Sequence, residues 1–97
     1  GTREIEIICL RFSLLDKEGI VEWNGKAFKK MKNLKTLIIK NGHFSKGPKH
    51  LPNSLRVLEW LKYPAQRLPP DFRSKKLAIC KLPKNCFGSL ELADLSK

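Results

Sequence analysis

The side chains that could do chemistry in this 97-residue chain are three cysteines, two histidines and a glycine loop carrying lysines. Gly42-His43-Phe44-Ser45-Lys46-Gly47-Pro48-Lys49 imitates the opening of a phosphate-cradling loop. Such a loop needs Lys-Ser or Lys-Thr directly after its second glycine, and then a helix whose first amides hold the anion. Pro48 follows Gly47 and no helix-forming run comes next, so a surface loop is expected. His43, His50, Cys80 and Cys86 could ligate zinc, which in structural sites wants close pairs such as C-x₂₋₄-C or H-x₃₋₅-H. Cys80-x₅-Cys86 and His43-x₆-His50 both miss that spacing, and no metal is expected. The chain has no Gly-x-Ser-x-Gly, no His-Glu-x-x-His and no dinucleotide fingerprint. Asp71 and the scattered glutamates lack a partner at an informative spacing, so the expectation is a non-enzyme without a cofactor.

Composition narrows the class further. At 41% hydrophobic and 30% charged residues the chain can build a core, and it is short enough to be one domain at most. No run of eighteen apolar residues occurs, so no membrane span is expected. The opening GTREIEI has neither an initiator Met nor a signal-peptide pattern, and is read as the start of an excised piece. An odd number of cysteines without a close pair argues against a disulfide framework, and Asn-x-Ser/Thr is absent. Both point to a reducing compartment, the cytoplasm, with the nucleus as a second location. The net charge of +11 is uneven: residues 26–50 hold eight lysines and no acid. Such a block attracts anions, or is simply a solvated face. It keeps open a second function, a basic nucleic-acid-binding fragment, for which Trp23 and Trp60 could stack on bases. The lysines are scattered singly and in pairs rather than in one basic run, which disfavours a dedicated nucleic-acid patch.

The elements that must position these residues follow a period. Leu34-x-x-Leu37-x-Ile39, Leu55-x-x-Leu58-x-Trp60 and Leu77-x-x-Cys80-x-Leu82 begin 21 and 22 residues apart, and Ile5-x-x-Ile8-x-Leu10 begins 29 residues earlier. Apolar residues at relative positions 1, 4 and 6 at this period mark leucine-rich repeats. Each unit is one short strand and a return segment, and it buries its apolar side only when a neighbour stacks on it. The fold class expected is α/β: a leucine-rich-repeat solenoid fragment of about four repeats. It has a short parallel β-sheet on its concave face and short helical or irregular return segments. The repeats are placed at 1–33, 34–54, 55–76 and an incomplete 77–97. Alternation puts Ile8, Leu10 and Phe12 on one side of the first strand and Ile7, Cys9 and Arg11 on the other. Asn24 is expected to cap a short helix in NGKAFKKMKNL, with Ala27, Phe28 and Met31 inward. Pro64, Pro69 and Pro70 forbid a helix in the third return segment and leave Leu68 and Phe72 to turn inward. Leu90, Leu92 and Leu95 suggest a short helical turn near the end.

With positions 4 and 6 buried, positions 3, 5 and 7 face the concave surface. These are Thr36, Ile38 and Lys40; Val57, Glu59 and Leu61; Ile79, Lys81 and Pro83. Ile38, Val57, Leu61 and Ile79 are apolar where solvent is expected, the pattern of a protein interface. The contact residues expected are therefore Thr36, Ile38, Lys40, Val57, Glu59, Leu61, Ile79 and Lys81.

The third unit, LPNSLRVLEWLKYPAQRLPPDF, closely resembles an "LP.SLRVLEW..YP...LP..F" segment near the start of the repeat domain in plant TIR–nucleotide-binding–leucine-rich-repeat disease-resistance proteins. GKAFKKMKNLKTLII resembles the stretch just upstream in that family, and KKLAICKLPKNCF resembles the stretch just downstream. The resemblance implies an interaction and autoinhibitory module in an intracellular immune receptor. Its partners would be the nucleotide-binding module of the same receptor and a pathogen effector. It also implies that ADP/ATP binding and NAD cleavage belong to other modules. The chain departs from general repeats at the ninth position, where Asn or Cys is favoured and Gly42, Tyr63 and Asn85 stand.

Overall fold

The computed structural model describes residues 4–13, 19–84 and 86. Six short strands form: β1 (Ile7–Arg11), β2 (Ile20–Val21), β3 (Thr36–Lys40), β4 (His43–Phe44), β5 (Val57–Trp60) and β6 (Ile79–Lys81). A four-stranded sheet runs β1-β3-β5-β6, every neighbouring pair parallel, and β2 pairs with β4 in a second parallel sheet. Parallel neighbours need a long connection, and here each connection is a return segment that carries the chain back to the same edge.

Register follows the sequence period. Ile8, Leu37, Leu58 and Cys80 lie side by side across the main sheet, and Leu10, Ile39 and Trp60 form the next row. Leu82, one residue beyond β6, is buried like them. The same backbone device recurs at each step. The Glu6 carbonyl accepts from the amides of Lys35 and Thr36, that of Lys35 from Arg56 and Val57, and that of Arg56 from Ala78 and Ile79. Two side chains repeat the link on the return side. The Ser54 hydroxyl donates to the Leu34 carbonyl at 2.7 Å and that of Ser74 to the Leu55 carbonyl at 2.5 Å. Each bond leaves a buried carbonyl satisfied that would otherwise cost about 1–3 kcal/mol.

Beneath the sheet, Leu34, Leu37, Leu55, Leu58 and Trp60 are fully enclosed, and Leu51, Leu68 and Phe72 close the core from the return segments, the last two as the prolines around them required. One end of the core is aromatic. The Trp60 ring lies 5.2 Å from Phe44, 5.1 Å from Tyr63 and 6.2 Å from Trp23, the first two edge-to-face. The Trp23 indole N–H donates to the Lys46 carbonyl at 2.7 Å, which pins the loop after β4 onto this cluster. Between β3 and β4 the chain turns sharply, with Asn41 at φ 65°. At Gly42 a Cβ would stand 2.7 Å from the Phe12 ring, so only glycine fits.

The helix expected in NGKAFKKMKNL does not form: residues 27–30 are turns, and no α-helix occurs among the described residues. Asn24 takes the Lys26 amide through its side-chain oxygen at 2.8 Å, Gly25 adopts φ 77°, and three-residue closures follow at Lys26–Lys29, Phe28–Met31 and Met31–Leu34. A segment this short does not nucleate readily, and Lys26, Lys29 and Lys30 would put like charges at i, i+3 and i, i+4 on a helix. Phe28 still reaches the core, whereas Ala27 is exposed. The first strand is also less covered than its period implies: Leu10 is 40% exposed, because no further strand stacks on the β1 side among the described residues. The turn expected around Leu90, Leu92 and Leu95 lies outside the described residues. Among the described residues no helix is long and apolar enough to cross a membrane.

The face assignment predicts a contrast within one strand and the residue that follows it. Leu58→Ala should cost about 2–5 kcal/mol by cavity formation, and Leu61→Ala should change stability by less than about 0.5 kcal/mol. Urea unfolding of the two variants checks this; equal losses would contradict the inward and outward rows.

Candidate interaction face

The other side of the main sheet carries three rows in register. The first is Ile7, Thr36, Val57 and Ile79; the second is Cys9, Ile38, Glu59 and Lys81; the third pairs Arg11 with Lys40. All of the expected contact residues are found on this side or at its rim. Leu61 sits just past the end of β5 at 60% exposure, and Ile79 is 49% exposed. Thr36, Ile38, Lys40 and Val57 are half-buried by their neighbours. Strand β1 extends the face beyond the expected set: Ile7 is 69% exposed, and Arg11 stands beside Lys40. The alternation of Ile7, Cys9 and Arg11 was visible in the sequence, so the register alone would have added them.

The charges on this face are organised around one acid. Glu59, only 14% exposed, meets Lys40 at 3.2 Å and Lys81 at 4.0 Å, so one carboxylate ties β3, β5 and β6 together. Beside it lies a hollow of about 370 Å³ bordered by Lys40, Asn41, Glu59, Leu61 and Lys62. The face is thus apolar where the strands begin and cationic where they end.

The residues weighed for metal or phosphate chemistry are spread through the fold. His43 Nε2 lies 3.5 Å from Lys62 Nζ, His50 Nδ1 lies 3.6 Å from Asp71, and Cys80 belongs to the inward row. No group of three or more His, Cys, Asp or Glu side chains able to hold a metal occurs among the described residues. In the glycine loop, His43 and Phe44 pair with β2, Gly47 lies against Ala65, and the Lys49 amide donates to the Gly25 carbonyl at 2.7 Å. Trp60 is enclosed, so its ring cannot stack on a base. None of the three cysteines forms a disulfide. The Cys86 thiol points to the Ala65 carbonyl at 3.6 Å, and burial pushes its pKa up. Tyr63, whose hydroxyl donates to the Arg67 carbonyl at 3.2 Å, is raised well above the usual phenol range, first by burial and then by the neighbouring Cys86.

The main sheet thus leaves one face open, with apolar and charged side chains in register across its parallel strands. No family model matches the chain, and no solved structure matches it. The chain is similar to Disease resistance-like protein DSC1 of Arabidopsis thaliana, being 40% identical over 95 residues. The match covers 86% of this chain and 8% of that protein, so the chain spans a small part of its relative's length. The similarity is thus to one part of a plant disease resistance-like protein.

The two raised groups set a pH limit. Cys86 and Tyr63 ionise more easily in the unfolded chain, near their ordinary values of 9.0 and 10.0, than in the folded one. The stability they carry is complete below pH 9.0 and is lost as pH rises toward the folded-state values. Melting temperature should therefore fall as pH rises above that value, and less steeply in Tyr63→Phe. A slope unaltered by that substitution would remove Tyr63 from the account.

Proposed function

We propose that this segment is a non-catalytic protein-interaction and autoinhibitory module of an intracellular plant immune receptor. On this reading it is the early part of a leucine-rich-repeat solenoid of the TIR–nucleotide-binding type. The observation that carries the reading is the similarity to a disease resistance-like protein across most of the chain, joined to a sheet face with exposed Ile7, Leu61 and Ile79. Apolar side chains exposed on one sheet face are a surface that a protein partner can cover. The module works through a coupling free energy. Contacts of this face with the nucleotide-binding module favour a closed receptor, and an effector competing for the contacts shifts the population. A coupling of about 1–3 kcal/mol is enough for a 5- to 150-fold change in affinity. ADP/ATP binding and NAD cleavage belong to other modules of the receptor, and the setting is the cytoplasm or nucleus.

The test is charge reversal in a full-length receptor. Lys40→Glu with Lys81→Glu should shift basal activity or effector response severalfold. The swap Lys40→Glu with Glu59→Lys keeps an ion pair at this point of the sheet while changing the surface. It separates loss of contact from loss of fold. A receptor indifferent to both sets removes these positions from the interface.

A further inference from the structure

A second surface lies on the return side, away from the sheet face. It is a recess of about 330 Å³ where three return segments meet, residues 28–32, residues 50–54 and Asp71. Its floor is apolar: Phe28 and Leu51 are buried, and Met31 and Pro52 are half-buried. Its walls carry Lys29, Lys32, His50, Asn53 and Asp71.

Lys29, Lys32 and Asn53 bring hydrogen-bond donors to this recess. The Ser54 hydroxyl is spent on the Leu34 carbonyl, and Asn53 Oδ1 accepts the Arg73 amide at 2.6 Å. With its oxygen engaged, Asn53 presents its two amide N–H donors. The recess has one acid, Asp71, which lies 3.6 Å from His50 Nδ1 and forms an ion pair with it only when that imidazole is protonated. Lys29 and Lys32 form no ion pair among the described residues. Residues 26–50 contain no acid to neutralise them.

We propose that this recess binds an acidic segment of a protein in which a carboxylate adjoins an apolar side chain. The apolar side chain packs on the half-buried Met31 and Pro52, and the carboxylate takes the Lys29 and Lys32 ammonium groups and the Asn53 amide. The volume lies within the range of small-ligand sites and holds a side chain or two rather than a domain surface. A protein fits better than a nucleic acid. Phe28, the one Phe, Tyr or Trp of the lining, is buried, and binding of single strands depends on stacking on such rings.

The chain has one methionine, and it lines the recess, so the Met31 methyl resonance reports on this place alone. In the full chain, an acetylated Glu-Leu-Glu-Glu-Leu-Glu peptide should move that resonance saturably, and the same peptide with Gln for Glu should not. Lys29→Glu with Lys32→Glu should weaken binding about tenfold, as two exposed ion pairs would. Lys75→Glu with Lys76→Glu, at exposed lysines outside the recess, should leave it within about twofold. Near-ultraviolet circular dichroism of the aromatic cluster confirms that each variant is folded. The proposal is overturned if the methyl stays still, if both charge reversals weaken binding alike, or if oligothymidylate moves the methyl as readily as the peptide does.

Discussion

Everything in this molecule depends on the register of four parallel strands. Side chains alternate across a strand, so a slip of one residue would turn Leu37, Ile39, Leu58 and Trp60 outward and bring Thr36, Ile38, Val57 and Glu59 into the core. Two kinds of bond forbid that slip. The carbonyls of Glu6, Lys35 and Arg56 each hold a pair of amides from the next strand, and the hydroxyls of Ser54 and Ser74 hold leucine carbonyls on the opposite side of the stack. The core rows supply the driving force and the polar links supply the alignment. Neither would define a unique face without the other.

The two faces are maintained by different physics. Inward, Trp60 is wedged among Trp23, Phe28, Phe44 and Tyr63, a cluster that ties β4 and the following loop to the main sheet. Outward, Glu59 restrains two lysines of neighbouring strands, so a face with a cationic rim does not splay apart by self-repulsion. With little exposure the carboxylate is screened less by solvent than a surface acid would be. The pair Lys35–Glu6, at 3.5 Å and open to water, contributes less.

Much of this was legible in the letters. The recurrence of apolar residues at positions 4 and 6 gave the neighbours of Leu37 and Leu58, and simple alternation placed Thr36, Ile38, Lys40, Val57 and Glu59 on one side. The prolines around Leu68 and Phe72 foretold an irregular, inward-turning segment. Short-range rules failed where long-range partners decide. Residues 26–32 have helical spacing, but like charges and an Asn24–Gly25 turn favour separate closures. The pairing of β2 with β4 joins two-residue strands too short to signal themselves. The bonds of Glu59 to Lys40 and Lys81, and of His50 to Asp71, link residues about twenty positions apart, and no local pattern marks them. The eight lysines of residues 26–50 read as one block. In space Lys40 is paired on the sheet face, whereas Lys29 and Lys32 border a recess on the return side.

In the main sheet each strand touches only the strands next to it in the stack, and β1 has no pairing with β5 or β6. Cooperativity in such an array is passed from neighbour to neighbour rather than shared by all. Opening can then start at a margin and travel inward, so amide hydrogens in β3 and β5 should outlast those of β1 and β6 in deuterated solvent. A covering layer laid against β1, where Leu10 is part-exposed, would stiffen that margin first and the remaining strands in succession. Mechanical coupling along the stack therefore passes strand by strand from either margin, a property that a closed sheet of the same size would lack.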